Sequence, residues 1–404
     1  MPRAEGGTGA EDRREPGPSL TQMALYFLRL GALGFGGPVA LANTMRKDLA
    51  EERHWLTEQE YEDGLAIAAA CPGPLAYQLG VYCGYIRHGV AGGLAVAVAF
   101  SLAPFALVVT AAWAYTRFSA TWQLRALFYG VAPVVVALIL KACFSLGHKM
   151  LRKDLPAWVV AVLACAITVV VQKELTAIFL VAGALGTFVF APPPAAPAPG
   201  REVAPPSPGR AAALGVLGSA GGAMTSKLFL FFFKTGFLVF GSGLVIVPFL
   251  KTYVVDQYHW LSDRTFLDAV AIGMISPGPV VITATFVGYL LGGFSGALAA
   301  TVGIFSPAVL FTVLLTPLLL RYRRHRRLAG FIRGITVAVV GVLVGTTWLV
   351  GRTAIGDVLT VVVGVLSLAL LLLFPKLPEL VLVLAGALVG LVAYPLVGPA
   401  WVLG

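Results

Sequence analysis

The sequence predicts an all-α, polytopic membrane protein whose two homologous halves form an inverted repeat with broken helices. Three observations predict it. The 404-residue chain is 58% hydrophobic and only 12% charged, with a mean hydropathy of +0.87, against about a quarter charged in soluble domains. The stretch from Phe27 to Gly37 returns from Phe232 to Ser242, and the same shift of 205 residues carries His54-Trp55-Leu56 onto His259-Trp260-Leu261 and Pro72-Gly73-Pro74 onto Pro277-Gly278-Pro279. Finally, Gly and Pro interrupt both apolar copies at matching places, as in membrane proteins built from internal repeats.

Taken in order, residues 1–22 mix acids and arginines and read as a disordered tail with no cleavable signal peptide. The N-terminal repeat, 23–190, holds apolar segments at 23–45, 64–86, 89–116, 126–147, 155–171 and 174–191. Residues 191–210, with eight prolines, read as an extended linker. The C-terminal repeat, 211–404, holds segments at 226–250, 266–290, 293–320, 331–351, 356–374 and 378–396. No alternating β-barrel pattern occurs.

Charge orients the halves. Lys149, Arg152 and Lys153 follow the fourth segment of the first half, whereas Arg321, Arg323, Arg324, Arg326 and Arg327 follow the third segment of the second. Both loops are expected on the cytoplasmic side, at non-equivalent points of the repeat, which inverts one half relative to the other. Inversion needs an odd number of crossings between equivalent points, and six segments are even. Either a segment is re-entrant or 211–224 contributes.

The net charge of +10 concentrates in loops between apolar segments, so nucleic acid is not an expected partner. Cys71, Cys83, Cys143 and Cys165 lie in apolar segments without metal-ligand spacing. No zinc-protease, Walker or nucleophile-elbow motif occurs, so the chain is expected to be no enzyme, to hold no cofactor or metal, and to draw any active work from an ion gradient.

Four paired constellations carry the chemistry. Gly36 and Gly37, after Phe35, match Gly241 and its neighbour Gly243. In a helix Gly costs roughly 1 kcal/mol against Ala and Pro about 3, so these clusters break the span. A broken backbone survives in hydrocarbon only where protein or a polar cavity surrounds it. Two readings stand: close packing of helices through small residues, or half-helix N-termini that hold an anion. Pro72, Gly73 and Pro74 match Pro277, Gly278 and Pro279, where a discontinuous helix near the midplane is expected; Gln78 and Thr283 follow as polar side chains. Arg29 and Lys234 precede the glycine breaks and either snorkel or attract an anion. Asp63 and Asp268 either complement a helix dipole or titrate with protons.

At these residues the chain resembles the chromate ion transporter family, long-chain two-domain type. The resemblance is carried by Phe35-Gly36-Gly37-Pro38, Pro72-Gly73-Pro74-Leu75-Ala76-Tyr77-Gln78, Phe240-Gly241-Ser242-Gly243 and Ser276-Pro277-Gly278-Pro279, and it covers roughly residues 23–350. It implies a secondary transporter in the bacterial inner membrane that exports chromate using the proton-motive force, with sulfate as analogue or competitor. A sulfate or other oxyanion carrier, an inward one included, an uncoupled anion channel and a non-transporting membrane scaffold remain the alternatives. The expected partners are chromate or sulfate, protons and the lipid bilayer, with a homodimer open. Ala68-Ala69-Ala70 and Asn43 depart from a glutamine and a histidine common in the family.

Overall fold

The computed structural model describes residues 17–34, 37–118, 121–152, 154–171, 175–190, 222–241, 243, 246–322, 326–374 and 377–397. The Pro-rich linker, Phe35, Gly36 and most of the N-terminal tail lie outside these. Helix α1 (Leu20–Leu33) starts inside the stretch read as tail, because Ser19 and Gln22 close a capping box at its entrance.

Each half opens with two hairpins that dip into the membrane layer and return. In the first, α1 is 14 residues long, about 21 Å, too short for a hydrocarbon layer of ~30 Å. The chain turns at Gly34 and comes back as α2 (Gly37–Met45), which continues as a π-helix over Arg46–Glu52. The arms are antiparallel: the Tyr26 hydroxyl donates to Asp48 across them at 2.9 Å. The second hairpin pairs α3 (Glu58–Ala70) with the start of α4 (Leu75–Phe118). A methyl group on Gly64 would lie 2.3 Å from the Tyr82 ring, and Arg87 bonds Glu60 at 2.6 Å. The expected broken span over 64–86 is thus a re-entrant hairpin whose tip is Pro72-Gly73-Pro74.

Helix α4 then reverses at His88 and Gly89, whose φ of 62° and ψ of −150° lie outside helical space. Gly84 and Gly92 would be roughly 12 Å apart in a straight helix; here a methyl on Gly84 would meet the Gly92 carbonyl oxygen at 2.4 Å. The outer arm of α4 crosses the membrane, followed by α5 (Trp122–Met150), α6 (Leu155–Val171) and α7 (Leu175–Val189).

The second half repeats the plan. Its first hairpin is α8 (Ala223–Gly236) with α9 (Ile246–Phe249) and a π-helix over Leu250–Gln257. The next is α10 (Asp263–Ile275) with α11 (Thr283–Tyr322), entered through a 3-10 turn at Val280–Ile282 and reversed at Gly292 and Gly293. Helices α12 (Arg326–Ala354), α13 (Val358–Leu373) and α14 (Glu379–Val397) follow.

The halves are inverted. Gly93 lies by Val313 while Phe105 meets Phe294, ring centres 5.9 Å apart, so the outer arms of α4 and α11 run antiparallel. Both basic loops, after α5 and after α11, therefore fall on one face of the layer, as their charge predicts. The terminal helices interlock the halves. Glycines of α12 sit against α6, Gly341 on Ala161 and Gly345 on Cys165 in parallel, and Gly334 sits on Ala182 of the antiparallel α7. Gly386 and Gly390 of α14 press on Gly130 and Ala126 of α5. Helix α7 ends on the basic face, and α8, parallel to the outer arm of α11 through Leu228 by Gly296 and Gly236 by Ile304 and Pro307, enters from the other. The last described residue of the first half and the first described residue of the second thus lie on opposite faces. Two of the six segments in each half turn back, which leaves four crossings, still an even number, so re-entrance alone does not reconcile the count with inversion.

Candidate functional site

All four hairpin tips meet in the middle of the molecule, and they meet crosswise. The Gly73 N–H donates to the Val239 carbonyl at 2.5 Å, and the Gly278 N–H donates to the Gly34 carbonyl at 3.0 Å. These two bonds are the same bond under the 205-residue shift, one from each Pro-Gly-Pro to the glycine turn of the opposite half. A two-residue parallel ladder extends the first: Gly73 faces Phe240 and Pro74 faces Gly241. Gly73 adopts φ +139°, Gly278 +86° and Gly243 +74°, the left-handed region that side chains avoid. The sequence reading supposes that the breaks free their amides; the structure spends two of them on tying the halves together.

Helices α2, α4, α9 and α11 all begin at the tips, so four positive dipole ends converge, opposite the carbonyl ends of α1, α3, α8 and α10. Several outer helix starts are closed by side chains: Ser19 caps α1, Thr57 caps α3, Ser262 caps α10 and Asp357 caps α13, whereas α8 starts after Gly222 without a side-chain cap. The inner starts differ. No side chain caps the turn after Pro279, and the start of α4 follows Gly73 and Pro74, which offer no side-chain acceptor. Unused N–H groups at a helix start suit an anion.

Gln78 and Thr283 occupy equivalent places beneath the two Pro-Gly-Pro tips, and both are fully buried. The Gln78 amide nitrogen donates to the Pro72 carbonyl at 2.6 Å, which satisfies a carbonyl that the broken helix leaves open. Its Oε1 is enclosed without a hydrogen-bond partner among the described residues. Thr283 Oγ1 donates its one proton to the Val280 carbonyl at 2.8 Å.

The paired ionic residues are treated unequally. Asp268 is 4% exposed, and the Tyr115 hydroxyl, from the other half, donates to it at 2.7 Å. Asp63 is half-buried and accepts from Gln59 on its own helix at 3.2 Å. Arg29 and Lys234 are both exposed, toward the tip-facing ends of α1 and α8, Lys234 in the last turn of its helix, and Asn43 is exposed on α2. Gly37 opens α2, Pro277 and Pro279 are buried with their tip, and Gly36 lies outside the described residues. Among the described residues no group of His, Cys, Asp and Glu could hold a metal.

One repeated constellation escapes comparison by identity. Arg46 bridges Glu51 at 3.6 Å and also pairs with Glu58, while Lys251 pairs with Asp256 and bridges Asp263 at 2.9 Å. The positions correspond through the same shift, but every residue type has changed within its charge class. Each triad ties a π-helix to the base of the neighbouring hairpin, beside His54 and His259, the matched residues held at φ 49° and 51°. Comparing charge sign at the repeat interval finds it.

Comparison with known proteins follows the same two-part division. A family model described as "Chromate transporter" matches residues 21–187 and again 226–391. The chain is 42% identical to a chromate transport protein of Cupriavidus metallidurans over 381 residues, 94% of this chain and 95% of that one. It is 38% identical to a probable chromate transport protein of Synechococcus elongatus, covering 93% and 96%. An uncharacterized transporter of Bacillus subtilis is 30% identical over 169 residues, 41% of this chain but 95% of its own length, so that relative is one repeat long. No solved structure matches. With both repeats matched in order along a multi-pass helical membrane protein, the chain belongs to the chromate transporter family.

Proposed function

We propose that the chain exports chromate from the cytoplasm of a bacterium across its inner membrane, as a secondary transporter driven by the proton-motive force. The observation that carries this is the central junction. Uncapped helix starts from both faces converge there, and two equivalent hydrogen bonds hold the halves at one point, where a site serves either face in turn. A tetrahedral dianion exchanges its hydration for the amides after Pro74 and Pro279, with Gln78, Thr283, Gly37, Gly241 and Gly243 around it. Arg29 and Lys234 raise the anion concentration near the layer rather than touch the bound ion. Asp63 and Asp268 are the carboxylates through which protons enter the cycle. The names carried by the relatives support chromate as the substrate. The face bearing the loops after α5 and α11 is the cytoplasmic one by its charge.

The test is uptake of labelled chromate into inverted vesicles, with a protonophore and excess sulfate as separate arms. Accumulation that the protonophore abolishes is the expected result. Flux that persists unchanged identifies a channel, and sulfate accumulation at the same rate identifies a general oxyanion carrier.

A further inference from the structure

The exporter reading leaves two equivalent aspartates as candidates, and the structure separates them. Asp268 sits on α10 between the outer face and the tip, enclosed, with its carboxylate taking the Tyr115 hydroxyl from α4 of the other half. Tyr115 is in turn wedged between Phe128 of α5, 5.8 Å away, and Phe286 of α11, 5.3 Å away, both edge-on. The bond therefore joins a re-entrant hairpin of one half to a crossing helix of the other. After the Pro-Gly-Pro motif the repeat interval drops by one, from Gly73 and Gly278 to Gly89 and Gly293, so Tyr115 corresponds to Leu319. Asp63, by contrast, is half-buried, and among its contacts is a bond from Gln59 on its own helix.

We propose that the Asp268–Tyr115 hydrogen bond is the latch through which a proton releases the α10–α11 hairpin. This rests on the proton-driven reading above. A proton from the outer face adds to the Asp268 carboxylate; the charge-assisted bond becomes a neutral one, the hairpin loosens from α4, and the proton leaves once the site faces the cytoplasm. Apart from Tyr115, the charged group acting on Asp268 is Arg264, one turn earlier on α10. Among the other ionisable groups on the elements packed against α10, Lys251 pairs with Asp256 and Asp263, Lys141 with Glu379 and Tyr129 with Asp357, while Arg125 of α5 is half-buried and Arg117 of α4 exposed. Arg352 of α12 is exposed.

The experiment uses the full chain in inverted vesicles, measuring net chromate uptake with and without a protonophore, and chromate–chromate exchange without a gradient. Asp268→Asn mimics the protonated latch: net uptake falls roughly ten-fold or more and loses protonophore sensitivity, while exchange persists. Tyr115→Phe keeps uptake but moves its pH profile to the alkaline side, because a carboxylate deprived of a donor holds its proton more readily. Protonophore-sensitive uptake in Asp268→Asn, or an unmoved pH profile in Tyr115→Phe, overturns the latch while the exporter stands. Should Asp268→Asn not assemble, the Tyr115→Phe profile decides alone. No chromate uptake by the unaltered chain overturns the exporter, and the latch with it.

Discussion

The two halves agree in backbone and differ in side chains. At the tips, Gly73 and Gly278 make the same bond; at the reversals, Gly89 and Gly293 have φ of 62° and 59°; after the π-helices, His54 and His259 share a left-handed turn. Yet Gln78 faces Thr283, half-buried Asp63 faces buried Asp268, and the Arg46 triad faces the Lys251 triad. Duplicated geometry lets either half play either part in alternating access. The unmatched side chains mean that the two parts differ in chemistry, with a buried orphan acceptor in the first half and a buried carboxylate in the second.

Breaking the matched backbone has the largest effect. Alanine at Gly73 must accept φ +139° and place its methyl 2.7 Å from Ala308 and the Gln78 amide. Alanine at Gly89 has nothing within 4 Å and faces only the left-handed conformation, about 1–2 kcal/mol. Gly73→Ala abolishes vesicle uptake, whereas Gly89→Ala costs stability on thermal unfolding and retains most flux. Equal loss from both would show that the tips have no special role.

The buried polar pair comes next. Gln78→Leu removes the amide bonded to Pro72 and the unpaired acceptor together, and chromate uptake falls about 10–100-fold. Thr283→Val gives up one local bond and loses only a few-fold, about 1 kcal/mol. A reversed order would move the functional asymmetry to the second half. The triads show the smallest difference. The Lys251 side chain is 10% exposed and Arg46 49%, while the acids that Lys251 holds are 28% and 46% exposed, so Lys251→Gln leaves two partly hydrated acids without their cation and costs about 1–2 kcal/mol of stability. Arg46→Gln costs about 1 kcal/mol or less, measured by unfolding in detergent.

The repeat, the helical membrane class and the places of chain breakage were all legible, because Gly and Pro act locally and recur at a constant interval. That the segment over 64–86 turns back instead of crossing was not. Hydropathy registers an apolar surface alike for a helix against lipid and for a hairpin arm packed against protein, and only contacts such as Gly64 with Tyr82 distinguish them. The use of the Gly73 and Gly278 amides was equally hidden, since their acceptors lie in the opposite half. The triads were hidden by substitution within charge class, and the Tyr115 bond by its lack of a counterpart at Leu319.

Crosswise bonding at the tips has a consequence beyond this chain. Each Pro-Gly-Pro turn finds its acceptor only on a unit threaded the other way through the bilayer. A polypeptide holding a single unit therefore arrives with its central donors and acceptors orphaned in a place where water cannot reach them. It becomes complete only beside a neighbour of opposite insertion, and fusing the two through a Pro-rich tether makes that meeting automatic.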